Sequence, residues 1–151
     1  MKIYLSSDHA GYELKEQVKQ FLMDKHYEVE DLGTDSTASV NWAEYGERMA
    51  RKVSSNLENS RGIGICGSGI GMSIVSNKFK GVRAALCHDV KAAEMSRKHN
   101  NANVLNLGAR VVDTDTALQI VETWLNTQFE GDRHQLRLDF LSKEVENTNF
   151  K

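Results

Sequence analysis

Short apolar runs alternate with amphipathic stretches along the whole chain, and this alternation restricts the fold more than any other feature. Five of the runs read as strands: KIYLSS, YEVEDLG, RGIGIC, VRAALCHD and ANVLNLGA. Segments with helical spacing of apolar residues lie between them. Parallel strands need long crossover connections, and helices supply them. The sequence therefore predicts an α/β fold, a Rossmann-like or flavodoxin-like three-layer sandwich with a five-stranded parallel sheet.

Helices are expected between and after these strands. Their apolar residues recur every three or four positions, as Leu14, Val18 and Leu22 do in the first helix. The expected helices lie near residues 14–22, 42–53, 71–78, 90–100, 118–125 and 133–146. The last is a C-terminal helix with no strand after it. A chain of 151 residues without a linker or internal repeat fits one domain covering residues 1–151.

Composition and charge narrow the class of protein. The net charge of −2 does not suit general nucleic-acid binding, which needs a basic face. The start, MKIYLSSDHAG, does not resemble a signal peptide, and no run approaches the roughly 20 apolar residues of a membrane span. Cys66 and Cys87 lack CxxC spacing, which disfavours a zinc or redox pair. We therefore expect a cytoplasmic protein that binds neither nucleic acid nor membranes and needs no metal.

Ionisable side chains follow several of the predicted strands. In open parallel sheets, ligands bind outside the carboxyl ends of the strands. The residues expected at that edge are Asp8 and His9 after the first strand, Cys66 after the third, His88 and Asp89 after the fourth, and Arg110 after the fifth. The sequence thus predicts a ligand site on this edge of the sheet.

A glycine-rich loop, CGSGIG, follows the third predicted strand and opens a helix. It places Gly67, Ser68, Gly69 and Gly71 directly after Cys66. Backbone N–H groups without side chains around them can converge on a small anion or on a developing oxyanion. The alternative interpretation is a tight turn between strand and helix that buries a structural cysteine. Both interpretations are open from this segment alone.

The same region contains GxGxxG at Gly62, Gly64 and Gly67, which is the pattern of dinucleotide-binding loops. That loop lies after a strand, whereas Gly62 and Gly64 fall within the predicted strand. We therefore reject a dinucleotide site. The second cysteine, Cys87, lies in the apolar run AALC, where packing in the core is the expected role.

A histidine and two arginines in the C-terminal half have both a functional and a structural interpretation. His99, before Asn100, ends a predicted helix. Its structural interpretation is that it caps the C-terminus of that helix and has no further role. Arg133 and Arg137 lie four residues apart on a helix, where like charges repel unless an anion lies between them. A surface ion pair between Arg133 and Glu130 is the alternative.

Taken together, several blocks resemble a known family: SSDHAGYELK, ICGSGIGMSIVSNK, GVRAALCHD, SRKHNNANVLNLGARV and FEGDRHQLR. They are similar to the B-type ribose-5-phosphate isomerases, whose wider family includes galactose-6-phosphate and allose-6-phosphate isomerases. The resemblance covers nearly the whole chain. It implies an aldose–ketose isomerase of sugar phosphates that uses neither metal nor cofactor. It also implies a homodimer or a dimer of dimers with an active site shared between two subunits.

The resemblance assigns the proton-transfer chemistry to the glycine loop. Cys66 would move a proton between C1 and C2 through a cis-enediol or enediolate. The hydroxyl of Ser68 would assist, at a position where the family often has threonine. Gly67, Gly69 and Gly71 would supply N–H groups to the enediolate oxygen, which agrees with the oxyanion interpretation of this loop.

The resemblance assigns the remaining roles to residues elsewhere in the chain. His99 would open the furanose ring, and Asp8 and Asn100 would hold sugar hydroxyls. The phosphate would be bound by His9, Arg110, Arg133 and Arg137. By the same analogy, the neighbouring subunit contributes His99, Asn100 and Arg110 to each site.

One segment departs from the family pattern. Where relatives usually carry aspartate, tyrosine and proline, this chain has Asn41, Trp42 and Ala43, so Trp42 would form an aromatic wall without the phenol. Ribose 5-phosphate is the expected substrate, with a six-carbon aldose 6-phosphate and a non-catalytic sugar-phosphate-binding module as alternatives. The presence of both Cys66 and His99 favours a homo-oligomer over the hetero-oligomeric arrangement of galactose-6-phosphate isomerases.

Overall fold

Strands and helices alternate through the fifth strand, as the sequence predicts. A computed structural model of the chain describes residues 1–149. The strands are β1 (Lys2–Ser7), β2 (Glu28–Asp31), β3 (Ser60–Cys66), β4 (Ala84–Leu86) and β5 (Val104–Gly108). The helices are α1 (Tyr12–Asp24), α2 (Trp42–Ser54), α3 (Ile70–Ser76), α4 (Val90–Lys98), α5 (Thr114–Asn126) and α6 (Arg133–Phe140). After α6 the chain continues as a π-helical segment (Leu141–Glu146) and the short helix α7 (Asn147–Asn149).

The five strands form one parallel sheet with the order β2-β1-β3-β5-β4. The parallel sheet confirms the predicted fold class. The lateral order differs from the flavodoxin-like order 2-1-3-4-5, because β5 lies between β3 and β4. Burial explains this exchange. Every residue of β5 is buried, as a central strand requires, whereas the three residues of β4 are only partly buried and form an edge.

Helices cover both faces of the sheet. Helices α1, α4 and α5 contribute to the larger apolar cluster on one face, while α2 packs with α3 on the other. The buried side of α5 carries Ile120, Val121 and Trp124, which are fully inaccessible. Leu118 and Leu125, which bound the predicted helix, are only partly buried beside the cluster. None of the helices within residues 1–149 has the length and apolar character needed to cross a membrane.

Two glycines within β3 are required by close packing of a helix. A Cβ atom on Gly62 would lie 2.9 Å from the sulfur of Met49, and one on Gly64 would lie 2.9 Å from its terminal methyl. These glycines therefore admit the side chain of Met49 from α2 onto the sheet. Their position inside the strand confirms that the GxGxxG pattern is not a dinucleotide-binding loop.

The topology places a crevice at the carboxyl ends of β1 and β3. The chain passes from β1 to β2 on one side and then returns to β3 on the other side of β1. At such a switch point the loops after the two strands diverge, because their crossovers lie on opposite faces. The loops that carry Asp8 and Cys66 leave the sheet at this crevice.

Candidate active site

The loop after β3 holds the thiol of Cys66 in a fixed position. Cys66 is 4% exposed, and its Sγ accepts a hydrogen bond from the N–H of Gly69 at 3.2 Å. The hydroxyl of Ser68, an exposed residue, accepts one from the N–H of Ile70 at 3.2 Å. The Gly69 N–H was expected to contact a substrate oxygen. In this structure it contacts the thiol instead, because the tight turn directs it back towards Cys66.

Two glycines of this loop cannot be replaced without moving their neighbours. Gly69 has a φ of +80°, and a Cβ atom there would lie 2.4 Å from the side chain of Leu86. A Cβ atom on Gly71 would lie between 2.6 and 2.9 Å from three ring atoms of Trp42. The turn is thus tight and the cysteine buried, as the structural interpretation required.

The thiol nevertheless lines a cavity of about 430 Å³. This cavity gathers residues from the loops after β1, β3 and β5 and from the start of α2. Those among them that the sequence predicted as site residues are Asp8, His9, Trp42, Cys66, Gly67, Ser68, Gly71 and Arg110. A cavity therefore exists at the carboxyl edge where the ligand site is expected. His88 and Asp89 do not line it, and the Asp89 carboxylate instead accepts a hydrogen bond from the N–H of Ala92 at the start of α4.

Backbone hydrogen bonds orient the two ionisable residues after β1. The Nδ1 atom of His9 accepts a hydrogen bond from the N–H of Val40 at 3.1 Å. In the neutral ring the other nitrogen, Nε2, then carries the hydrogen and acts as a donor. The carboxylate of Asp8, a buried residue, accepts a hydrogen bond from the N–H of Gly11 at 3.1 Å. His9 can thus donate to an anion, while Asp8 is an acceptor suited to a hydroxyl.

Arg110 and Cys66 of the same chain line the same cavity. Its backbone N–H donates to the carbonyl of Gly67 at 2.9 Å, and a Cβ atom on Gly67 would lie 3.1 Å from its guanidinium. The expectation that Arg110 arrives from a neighbouring subunit is therefore wrong. The physical reason is the pairing of β5 with β3, which brings the loop after β5 against the glycine loop.

The segment that departs from the family pattern begins α2. The side-chain oxygen of Asn41 accepts a hydrogen bond from the N–H of Ala43 at 2.9 Å, so Asn41 is the N-cap of this helix. Trp42 is 40% exposed, and its ring lies against Gly71 at the cavity wall. Trp42 thus contributes an aromatic ring to the cavity wall, and its contact with a sugar stays a prediction.

A second group of predicted residues lies around the end of α4. His99 is the C-cap of that helix, and its N–H donates to the carbonyl of Met95 at 2.9 Å. Its imidazole stacks on that of His134, with ring centroids 4.3 Å apart and planes inclined by 16°. A cavity of about 530 Å³ is lined here by His99, Asn100, His134 and Arg137, among others.

His134 is a site residue that the sequence interpretation missed. It is 4% exposed and lies on α6 between the exposed Arg133 and Arg137. Burial, together with the positive charge of Arg133 and the neighbouring His99, lowers the pKa of His134, while Glu130 acts in the opposite direction. A helical stripe could have revealed it, because His134 is followed on the same face by Leu138, Leu141 and Val145.

The carboxylate of Glu130 is directed towards His99 rather than Arg133. Its Oε1 lies 3.7 Å from Nε2 of His99. Neither Arg133 nor Arg137 forms an ion pair with a carboxylate of residues 1–149. The surface ion pair proposed as an alternative for Arg133 is therefore absent from the described chain.

The two groups of residues lie at opposite ends of the sheet. Helix α4 starts beyond the carboxyl end of β4 and returns to the amino end of β5. It has 9 residues, which corresponds to roughly 13 Å along its axis. His99 at its end is thus remote from Cys66 in the same chain, and the two cavities share no residue. We name these groups the cysteine half (Asp8, His9, Trp42, Cys66 to Gly71, Arg110) and the histidine half (His99, Asn100, Arg133, His134, Arg137).

Comparison with known proteins identifies the family of this chain. A family model described as Ribose/Galactose Isomerase matches residues 3–141. The chain belongs to the ribose/galactose isomerase family. The resemblance drawn from the sequence is thereby confirmed. Membership identifies the protein as a sugar-phosphate isomerase, an enzyme rather than a non-catalytic binding module.

Relatives in this isomerase family match the chain over almost its full length. Ribose-5-phosphate isomerase B of Escherichia coli is 40% identical over 148 residues, covering 98% of this chain and 99% of that protein. The structure of ribose-5-phosphate isomerase B from Clostridium thermocellum has a TM-score of 0.94 at 47% identity, covering 98% and 99% of the two chains. The enzyme from Mycoplasma genitalium with bound ribulose-5-phosphate has a TM-score of 0.92 at 39% identity, covering 94% of each.

Proposed function

We propose that this isomerase interconverts ribose 5-phosphate and ribulose 5-phosphate. The observation that carries the proposal is the cysteine half, where a buried thiol, a glycine loop and cationic groups surround one cavity. The likeness to the Mycoplasma genitalium enzyme with bound ribulose-5-phosphate supports the choice of substrate. Two free thiols are compatible with the reducing cytoplasm, where we place the enzyme.

Cys66 acts as the base in this proposal. Its thiolate removes the proton from C2 of the open-chain aldose, and the electron pair moves to the carbonyl oxygen to form a 1,2-enediolate. Return of the proton to C1 completes the ketose. The Gly69 N–H donates a hydrogen bond to the sulfur at 3.2 Å.

The negative charge that develops on the substrate needs its own donors. We assign the N–H groups of Gly67 and Gly71 to the enediolate oxygens, because that of Gly69 serves the thiol. The exposed hydroxyl of Ser68 lines the same cavity and can move a proton between O1 and O2. Asp8 accepts a sugar hydroxyl in the same cavity.

Ring opening requires a group that the cysteine half lacks. The furanose form must lose a proton from its anomeric hydroxyl and gain one on the ring oxygen, and His99 is suited to both transfers. Since His99 and Cys66 of one chain lie at opposite ends of the sheet, we propose that each site combines the cysteine half of one subunit with the histidine half of another. Two-fold symmetry then gives a homodimer two equal sites.

The same division distributes the phosphate ligands. The cysteine half supplies the Nε2 hydrogen of His9 and the guanidinium of Arg110. The histidine half supplies Arg133 and Arg137, which have no carboxylate partner within residues 1–149. A doubly charged phosphate between the halves would neutralise cations on both sides and so hold the subunits together around the substrate.

Sugar length is the second question that the site raises. Trp42, which replaces the usual tyrosine, lies on the cavity wall. Because this position departs from the family pattern, a six-carbon aldose 6-phosphate is the alternative substrate. The test compares kcat/KM for ribose 5-phosphate, allose 6-phosphate and galactose 6-phosphate by spectrophotometric detection of the ketose. We expect the highest value with ribose 5-phosphate, and Trp42→Tyr serves as the matched variant. If kcat/KM is higher for a hexose phosphate, that sugar is the substrate in place of ribose 5-phosphate. No turnover with any of the three sugars would contradict the proposed reaction.

A further inference from the structure

The buried ring of His134 lies against the imidazole of His99, to which we have assigned ring opening. His134 is 4% exposed, whereas the side chain of His99 is 39% exposed. Their rings stack at 4.3 Å with an inclination of 16°. A buried ring stacked on a partly exposed one restricts the plane and the rotation of the exposed ring. The orientation of His99 therefore depends on a residue that cannot itself reach the solvent.

His134 also contacts the phosphate-binding side of the histidine half. Its Nδ1 lies 3.5 Å from Nη1 of Arg137, a cation that can only donate. Its Nε2 is buried and has no hydrogen-bond partner within residues 1–149. His134 thus lies between the arginine assigned to the phosphate and the histidine assigned to ring opening.

The same cluster could be considered as a metal site, because ligand atoms of His99, Glu130 and His134 lie within 4.8 Å of one another. The stacking argues against that use. Lone pairs of imidazole nitrogens lie in the ring planes, and two nearly parallel planes do not direct them to one point between the rings. Two stacked imidazoles repel each other when both are protonated, so the stack is most stable when one ring is neutral. Burial and nearby cations lower the pKa of His134, which disfavours its protonated form beneath a ring that must accept a proton.

We infer that His134 is a positioning residue, which holds His99 in the orientation for ring opening and links that orientation to phosphate binding at Arg137. The inference rests on the proposed function. When bound phosphate draws Arg137 into the site, the contact between Arg137 and His134 changes. Because His134 stacks on His99, the orientation of the His99 ring changes with it. The proton transfer between C1 and C2 belongs to the cysteine half and does not depend on His134.

A pair of reactions separates these roles. Ribose 5-phosphate is mostly a closed furanose, so its turnover includes ring opening. Ribulose 5-phosphate has a phosphate on O5 and cannot close a five-membered ring, so exchange of its C1 proton with solvent deuterium needs no ring chemistry. In that exchange the Cys66 thiolate removes a proton from C1, and a deuteron from solvent returns to the same carbon.

The experiment measures both reactions at saturating substrate for the wild-type enzyme, His134→Ala and His134→Phe. We expect His134→Ala to lower turnover of ribose 5-phosphate by roughly tenfold or more, since small displacements of an acid–base group have large effects. Its C1 exchange should fall far less. His134→Phe keeps an aromatic ring for stacking and should recover part of the turnover. Gln135→Ala, an exposed position on the same helix, should change neither reaction.

Four results would overturn the inference. Equal loss of both reactions in His134→Ala and His134→Phe indicates a structural role, and unchanged turnover in His134→Ala indicates no role. Turnover in His134→Phe no higher than in His134→Ala contradicts support by stacking. A wild-type enzyme that exchanges C1 but does not convert ribose 5-phosphate overturns the proposed function, and the inference with it.

Discussion

Separation of Cys66 and His99 within one chain leads to a quantitative complementation experiment. Cys66→Ala removes the proposed base of the cysteine half, and His99→Asn removes the proposed ring-opening group of the histidine half. Each variant alone should be nearly inactive with ribose 5-phosphate. The two lesions lie in cavities that share no residue, so each variant retains the half that the other has lost.

The expected recovery follows from two-fold symmetry. When equal amounts of the two variants exchange subunits at random, about half of the dimers contain one chain of each kind. Such a dimer has one site that carries both lesions and one that carries neither. About a quarter of all sites are then intact, and the mixture should regain about a quarter of wild-type activity.

The assay follows ketose formation before and after exchange, and mass spectrometry of one isotopically labelled variant measures the fraction of hybrid dimers. Activity should rise in proportion to that fraction. Each variant taken through the same exchange alone is the control and should remain inactive. If hybrids form and no activity returns, each site lies within one chain, and His99 is only the cap of α4.

The remaining predictions concern single residues. Cys66→Ala should abolish isomerisation while sugar-phosphate binding, measured by calorimetry, persists. Iodoacetamide at pH 8 should label Cys66 but not Cys87, because burial raises the pKa of Cys87 to about 11; mass spectrometry of peptides would detect the opposite pattern. Arg137→Ala should raise KM by about tenfold to a hundredfold, since a charge-assisted contact contributes ~1.5–3 kcal/mol, whereas Lys143→Ala in the same C-terminal segment should not. Asp132 has a φ of 51° and a ψ of −124°, so Asp132→Gly should raise the free energy of unfolding in urea by about 1 kcal/mol, and a decrease would show that no strain is relieved.

Periodicity of apolar residues was sufficient to predict the strands and helices, because it reports which side of each element is buried. It does not report which strands become neighbours. The position of β5 between β3 and β4 depends on packing across the whole sheet and was not predicted. The assignment of Arg110 to another subunit came instead from the family resemblance, and the pairing of β5 with β3 contradicts it. The C-terminal helix was predicted as one element, yet it changes to π-helical geometry at Leu141.

The candidate site was predictable where chain connectivity alone brings residues together. Asp8, Cys66 and Arg110 follow parallel strands of one sheet, so their loops meet at one edge. The stacking of His134 on His99 was not predictable in this way. It depends on how α6 packs against the end of α4, and the contact joins residues far apart in sequence.

The short edge strands of the sheet limit how copies of this protein can associate. Strand β4 has 3 residues, and β2 has 4, among which Glu28, Glu30 and Asp31 are acidic. A strand from another molecule would find few backbone groups to pair with at either edge, and at β2 it would meet charged side chains that are already ion-paired with lysines. Extension of the sheet into a fibre or an edge-to-edge aggregate is therefore disfavoured. Association is left to side-chain surfaces, where contacts can form and separate without unfolding a strand.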